Sequence, residues 1–176
     1  NGWIQNCNST PFTAAGNFSP KRVDFPKYMA PDGENFRGIN AVRVLDREKS
    51  YTLDKVIKAG YDNYLTAFEV FVPALIKSFD QNVKPTDSLY NTLIEPITLL
   101  KDWDYRSTES SYATTLAIEW AYKLNPQKYK EKEDADPIEA ANSFVKNAKM
   151  EDLVTPFAQT IVELMQNWGR WRVAWG

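Results

Sequence analysis

Histidine is absent from the 176-residue chain. That removes Ser-His-Asp and Cys-His nucleophilic machinery, histidine general bases and histidine metal sites. Cysteine occurs once, as Cys7, so no intrachain disulfide can form. Charge of either sign is in short supply as an excess: 21 Lys and Arg stand against 23 Asp and Glu, a formal net charge of -2. This balance offers no electrostatic footprint for nucleic acid or for an anionic membrane. No apolar run approaches the roughly 20 residues that span a bilayer. No basic-then-apolar leader opens the sequence, so no signal peptide is expected in this stretch, which by itself leaves the compartment open. Catalysis by these residues has to use oxygen, amide or guanidinium chemistry, or assist groups supplied from elsewhere.

Apolar residues make up 43% of the chain and aromatics 14%, enough for a packed core and too much for a disordered one. The two parts of the sequence differ in texture. Residues 1–48 hold Gly2, Gly16, Gly33 and Gly38 together with Pro11, Pro20, Pro26 and Pro31. Trp3-Ile4-Gln5-Asn6-Cys7 reads as a short strand, ended by Ser9-Thr10-Pro11 because proline lacks the ladder donor. Residues 12–38 read as a long irregular excursion, a feature that is often functional.

From about Ser50 the apolar spacing becomes helical. Ser50, Thr52 or Asp54 caps a helix running to Gly60. Tyr61, Tyr64, Leu65, Phe68, Phe71, Val72, Leu75, Ile76 and Phe79 recur at three- and four-residue spacing, with Pro73 predicting a kink or break. Further helices are predicted from Thr86 or Asp87 to Leu100, bent at Pro96; from Ser110 to Leu124; from Pro137 to Lys146; and from Met150 to Asn167. The mixed-charge stretch 127–136 reads as a solvated loop. The tail from Trp168 carries three tryptophans, and residues 170–176 look like the start of a truncated strand. The predicted fold class is mainly α: an irregular, short-strand arm over 1–48, followed by about six helices forming a lobe over 49–176. Two lone strands make no stable sheet, so the ends either pair with each other or enter a sheet supplied by a larger protein.

Three landmarks then occur in a set order. Gly2-Trp3-Ile4-Gln5-Asn6-Cys7-Asn8-Ser9-Thr10-Pro11 resembles the oxyanion-hole segment of the penicillin acylase large chain. Gly38-Ile39-Asn40-Ala41-Val42-Arg43-Val44 resembles the segment of that family ending in an active-site arginine. Leu99-Leu100-Lys101-Asp102-Trp103-Asp104, followed by Ser110-Ser111-Tyr112-Ala113, resembles its Leu-x-x-Trp-Asp run ahead of a Ser/Ala helix. The resemblance implies an N-terminal-nucleophile hydrolase of αββα architecture, in which these helices form a lobe over the sheet. It implies a serine nucleophile, freed by self-cleavage upstream of Asn1, whose own α-amino group is the base. It implies partners in the remainder of the large chain and the small chain of one precursor, a linear acyl amide as substrate, and a periplasmic or secreted setting. Acyl groups of β-lactam side-chain, acyl-homoserine lactone or lipopeptide type all fit that description. The chain as given, a piece without that serine, is expected to be inactive alone.

The same resemblance assigns residues. Asn8 becomes the oxyanion donor, although an Asn beside Ser-Thr-Pro also reads as a turn residue. Arg43, in the apolar stretch Ile39–Leu45, becomes a guanidinium that tunes active-site electrostatics or orients substrate; a structural pair with a carboxylate such as Asp46 is the alternative. Asp32, in Tyr28-Met29-Ala30-Pro31-Asp32, becomes a ligand of a structural calcium in the parent, though Asp32-Gly33 is also a plain turn signal. No cofactor is expected within the chain itself. Asp102-Trp103-Asp104 reads as a helix end that packs Trp103 into the core, and Cys7 as a small buried residue between two asparagines rather than a nucleophile. The reading from another class is an aromatic-rich helical binding module of a surface or periplasmic protein, with the Tyr61–Phe79 face and the tryptophan tail as ligand surface.

Overall fold

The computed structural model describes residues 2–176. Among them are seven α-helices, single 3-10 turns and no strand. The helices are α1 (Phe36–Leu45), α2 (Leu53–Gly60), α3 (Phe68–Asn82), α4 (Ser88–Lys101), α5 (Tyr112–Ala121), α6 (Pro137–Asn147) and α7 (Met150–Trp168). None is long and apolar enough to cross a membrane.

The helix starts follow from capping chemistry. Thr52 caps α2 by accepting from the Lys55 N–H, and Ser111 caps α5 by accepting from the Thr114 N–H. Asp136 precedes Pro137 and accepts from both Ile138 N–H (2.9 Å) and Glu139 N–H (2.8 Å), satisfying two orphan donors of α6. Lys149 N–H donates to Asp152 Oδ2 (2.9 Å) at the start of α7. Pro73 does not divide α3, which runs unbroken from Phe68 to Asn82. The ring enters six residues in, so its steric demand falls on the Glu69 carbonyl in the first turn, where it is easily relieved. Helices α4 and α7 likewise continue through Pro96 and Pro156.

Helices α3 to α7 pack around one core, with α3 touching α4, α6 and α7, and α5 touching α4 and α7. On α7 the buried positions Leu153, Val154, Phe157, Ile161 and Leu164 keep the three-four spacing of one face. Trp120 of α5 is fully buried and its indole N–H donates to the Leu153 carbonyl (3.0 Å), so its only polar atom is paired. Phe68, Phe71 and Phe79 are buried too. The Phe68–Phe79 part of the face that a binding-module reading needs is therefore core, whereas Tyr61, Trp168 and Trp175 are exposed.

Three expectations need correction. The arm is not irregular throughout, because α1 lies inside it: Asn35 accepts from the Gly38 N–H and starts a ten-residue helix where glycine and proline density suggested loop. The seven residues 61–67 lie outside α3 and form a turn joined to Arg106 by a single antiparallel bridge at Tyr64. Neither Trp3–Cys7 nor 170–176 forms a strand, and the two do not pair, since a strand exists only with a ladder partner. Gln5 N–H instead bonds the Ala14 carbonyl (2.9 Å), while Trp171 and Val173 lie against the helical core and Gly176 N–H bonds the Glu109 carbonyl (2.9 Å). The 127–136 stretch is mostly exposed, as read from its charges, and is tied down at both ends: Tyr129 O–H donates to Asp152 Oδ2 (2.8 Å), and Asp136 caps α6.

Candidate active site

The arm folds back on itself before α1. Thr10 N–H bonds the Gly33 carbonyl (3.0 Å), and Glu34 N–H bonds Asp136 Oδ2 (3.0 Å), which ties this fold-back to the start of α6. The approach is close enough that a Cβ on Gly33 would stand 2.2 Å from the Asp136 Cβ. A Cβ on Gly38 would stand 2.6 Å from Ser9 Oγ, so the first turn of α1 is pressed directly onto the segment around Asn8.

At that contact Asn8 has a left-handed backbone, φ 52°, which asparagine tolerates better than other side chains. Its N–H donates to Asn6 Oδ1 (3.1 Å), closing a small turn. Its Oδ1 accepts from Arg37 Nη2 (3.2 Å). With the carbonyl end of the amide held by a cation, the NH2 end is polarised and directed away; among the described residues it meets no acceptor. Arg37 Nη2 also donates to the Cys7 carbonyl (3.0 Å). The turn and the oxyanion-donor readings of Asn8 are thus compatible: the turn presents the amide.

Arg37, not Arg43, stands beside Asn8. Arg43 is six residues further along α1, roughly 9 Å along the axis and on another face. Its guanidinium makes a two-pronged pair with Glu69, at 2.8 Å to Oε1 and 3.0 Å to Oε2. Glu69 thereby holds the Arg43 guanidinium above its ordinary range, and Arg43 in turn holds the Glu69 carboxyl down. Tyr64 donates its O–H to Glu69 and lies between Arg43 and Arg106, whose Cζ atoms are 5.5 and 5.4 Å from its ring centre. Burial first, and the bonded Glu69 second, push the Tyr64 hydroxyl up to about 12.

The same side of α1 carries two more ties. Asn40 Nδ2 (3.1 Å) and Arg47 Nη1 (3.2 Å) both reach Asp62, which also accepts from the Tyr64 N–H (3.2 Å) and Arg106 Nη1 (3.4 Å). Burial alone would raise the Asp62 carboxyl, but these donors outweigh it and hold it below the usual range. Asn40 and, just past the end of α1, Arg47 reach Asp62 in the turn before α3, and Arg43 reaches Glu69 in the first turn of α3, so together they dock α1 on this corner. An apolar groove of about 760 Å³ runs beside these residues, lined by Cys7, Phe36, Arg37, Ala41, Val44 and Leu65 among others.

Asp32 is exposed, and no group of three or more Asp, Glu or Cys side chains gathers around it among the described residues. The side chains of this chain alone do not assemble the oxygen cage that calcium requires. Trp103 is in the core, with Phe68 and Tyr105 at 5.3 and 5.4 Å between ring centres, and its indole N–H donates to the Arg106 carbonyl (3.1 Å). Asp104 Oδ1 accepts from the Arg106 N–H (3.0 Å), a turn contact rather than half of a catalytic carboxylate pair.

Arg37 and Asn35 went unread in the sequence because both depend on α1 existing. The available signal was an Asn three residues ahead of Gly38, with Phe36, Ile39 and Val44 following on a helical repeat.

Asn8 thus lies in a left-handed turn, its amide oxygen bonded by Arg37 of the first turn of α1, and follows Cys7, which lines the apolar groove. The penicillin amidase family model matches residues 1–174. The chain belongs to the penicillin amidase family, a family of hydrolases.

Proposed function

We propose that this chain supplies the oxyanion-stabilising side of an active site that hydrolyses linear amides, releasing an acyl group from an amine. The observation that carries the reading is the Asn8 amide, its oxygen bonded by Arg37 and its NH2 end without an acceptor among the described residues. In acyl transfer the carbonyl oxygen gains negative charge as the tetrahedral intermediate forms, and a preorganised amide donor stabilises that charge without titrating. The nucleophile is a serine outside this chain, activated by its own α-amino group. The other groups of the site come from the rest of the large chain and from the small chain of the precursor, in a periplasmic or secreted enzyme. β-Lactam side chains, acyl-homoserine lactones and lipopeptides are the substrate types in view. Arg37 supports Asn8 directly, whereas Arg43 contributes at a remove, by fixing α1 through Glu69. A structural calcium would hold Asp32 only together with oxygens from outside the chain, and no step of the reaction runs through it.

The test is Asn8→Ala in the full-length, self-processed enzyme. Loss of one oxyanion donor is expected to lower kcat by roughly 10²–10³ while KM stays within a few-fold, because the charge exists only in the transition state. Processing is followed separately by the size of the mature chains. A mutant that matures normally and keeps near wild-type kcat would falsify the assignment.

A further inference from the structure

We propose that Asn35 is a positioning residue for the Asn8 donor, a single amide whose two ends fix the start of α1 and the backbone on both sides of the oxyanion contact. The proposal rests on the reading of Asn8 given above.

Asn35 uses both ends of its side chain. Its Oδ1 accepts from the Gly38 N–H (2.9 Å) and caps α1. Its Nδ2 donates to the Cys7 carbonyl (3.1 Å) and to the Asn8 carbonyl (3.0 Å). Those two carbonyls bracket Asn8, so the amide grips the chain before and after the residue with φ 52°. A left-handed backbone at a non-glycine residue is held only where its surroundings over-determine it, and here one side chain supplies two of the contacts. The amide has one workable orientation: reversed, it would set its oxygen against two carbonyl oxygens and its NH2 against the Gly38 N–H.

Asn35 is itself braced from behind. Its N–H donates to Glu34 Oε1 (3.0 Å), the other Glu34 oxygen accepts from the Thr13 hydroxyl (2.5 Å), and the Glu34 N–H is bound by Asp136 at the start of α6 (3.0 Å). Through Asn35 the Asn8 backbone is connected to the cap of a core helix. Arg37, two residues on, completes the grip by taking the side-chain oxygen of Asn8. The division of labour is then definite: Arg37 orients the Asn8 side chain, and Asn35 sets the backbone from which that side chain departs.

The geometry singles out a diagnostic pair of variants. Asn35→Asp keeps an N-cap acceptor, so α1 still starts in place, but it presents oxygen instead of N–H to the Cys7 and Asn8 carbonyls. Asn35→Ser also caps, carries no charge, and is too short to reach them. Both are made in the full-length, self-processed enzyme and assayed on whichever acyl para-nitroanilide the wild type turns over fastest, from a panel spanning acetyl to decanoyl and phenylacetyl. Each is expected to lower kcat by roughly 10- to 100-fold, the loss that follows from misplacing a donor by about 1 Å. KM should stay within a few-fold, and the melting temperature should be close to wild type. In an Asn8→Ala background neither variant should lower kcat further, since the donor it positions is gone. The serine variant decides if the aspartate variant fails to mature.

The outcomes separate this proposal from the one beneath it. If Asn8→Ala is itself silent, the oxyanion reading fails first. If Asn8→Ala costs its full factor but Asn35→Asp and Asn35→Ser keep wild-type kcat, Asn35 is a helix cap and nothing more. A loss that multiplies with that of Asn8→Ala overturns the proposal as well, because it would show Asn35 acting by another route.

Discussion

Asp152 offers a quantitative check on how the lobe is fastened. Its side chain is only 8% exposed, and it gathers three donors: Lys149 N–H at 2.9 Å, the Tyr129 hydroxyl at 2.8 Å, and the Lys128 ammonium. Burial by itself would raise this carboxyl, but the bonds from Lys128, Lys149 and Tyr129 prevail and hold it below the ordinary Asp range. Asp152→Asn keeps the shape and loses the charge. One carboxylate oxygen becomes an NH2 facing a donor, and the favourable interaction with the N-terminal end of the α7 dipole disappears. Bonds to a charged group contribute about 1.5–3 kcal/mol and the dipole about 0.5 kcal/mol, so a net loss of about 2 kcal/mol is expected near neutral pH. A depressed carboxyl contributes its stability above the unfolded-state value near 3.9, and loses it as pH falls through the folded value. The gap between wild type and variant should therefore be full at pH 7 and begin to close as pH drops below about 5. Urea titrations of both proteins from pH 7 to pH 3, read by circular dichroism, measure it. A gap under about 0.5 kcal/mol at pH 7, or one that does not change on acidification, would refute the account of Asp152 as a charged clamp between the Pro126–Tyr129 turn and α7.

Three other outcomes are expected. The purified 176-residue chain should hydrolyse no acyl para-nitroanilide above a heat-treated control, since it has no histidine and its first residue is Asn rather than Ser, Thr or Cys; turnover would refute the placement of the nucleophile outside it. Hydrogen exchange should be slowest in α3 and α7, and fast in α2, which has no buried residue and exposes Leu53, Val56 and Ile57; strong protection of α2 would show a packing partner that the structure lacks. Phe144→Ala should cost about 4 kcal/mol in a urea titration, because Phe144 is 1% exposed and its ring lies 6.2 Å from that of Phe71 and 6.1 Å from that of Tyr129, whereas a loss below about 1.5 kcal/mol would mean that the core collapses around the deletion.

Helices α2 and α4 to α7 were legible because their starts carry chemical marks and their buried faces keep one period. Thr52, Ser111 and Pro137 stand where the helices begin, and Leu153 through Leu164 repeat at helical spacing. Helix α1 was hidden by its own composition. Gly38 sits in its first turn for close approach to Ser9, a tertiary reason that no local propensity reveals. The polar positions Asn40 and Arg43, bonded to Asp62 and to Glu69 of α3, break the apolar stripe that a surface helix usually shows. The role proposed for Asn8 rests on the resemblance of its segment, and the partners that hold its amide were not legible. Arg37 and Asn35 lie 29 and 27 residues away in sequence, and only the fold-back of the arm brings them together with Asn8.

The bond between Glu34 and Asp136 joins residues 102 positions apart. Bringing such distant points of a chain together costs about 4 kcal/mol of conformational entropy before any contact rewards it. The helices from α3 to α7 meet their neighbours over shorter separations and have most of the buried apolar surface to drive them. The arm has few buried side chains of its own, so it docks onto a lobe that has already formed. Order of assembly thus runs from the scaffold to the segment around Asn8, and disassembly runs the other way. On warming, the geometry around Asn8 is expected to come apart while the helical signal of the lobe is still intact.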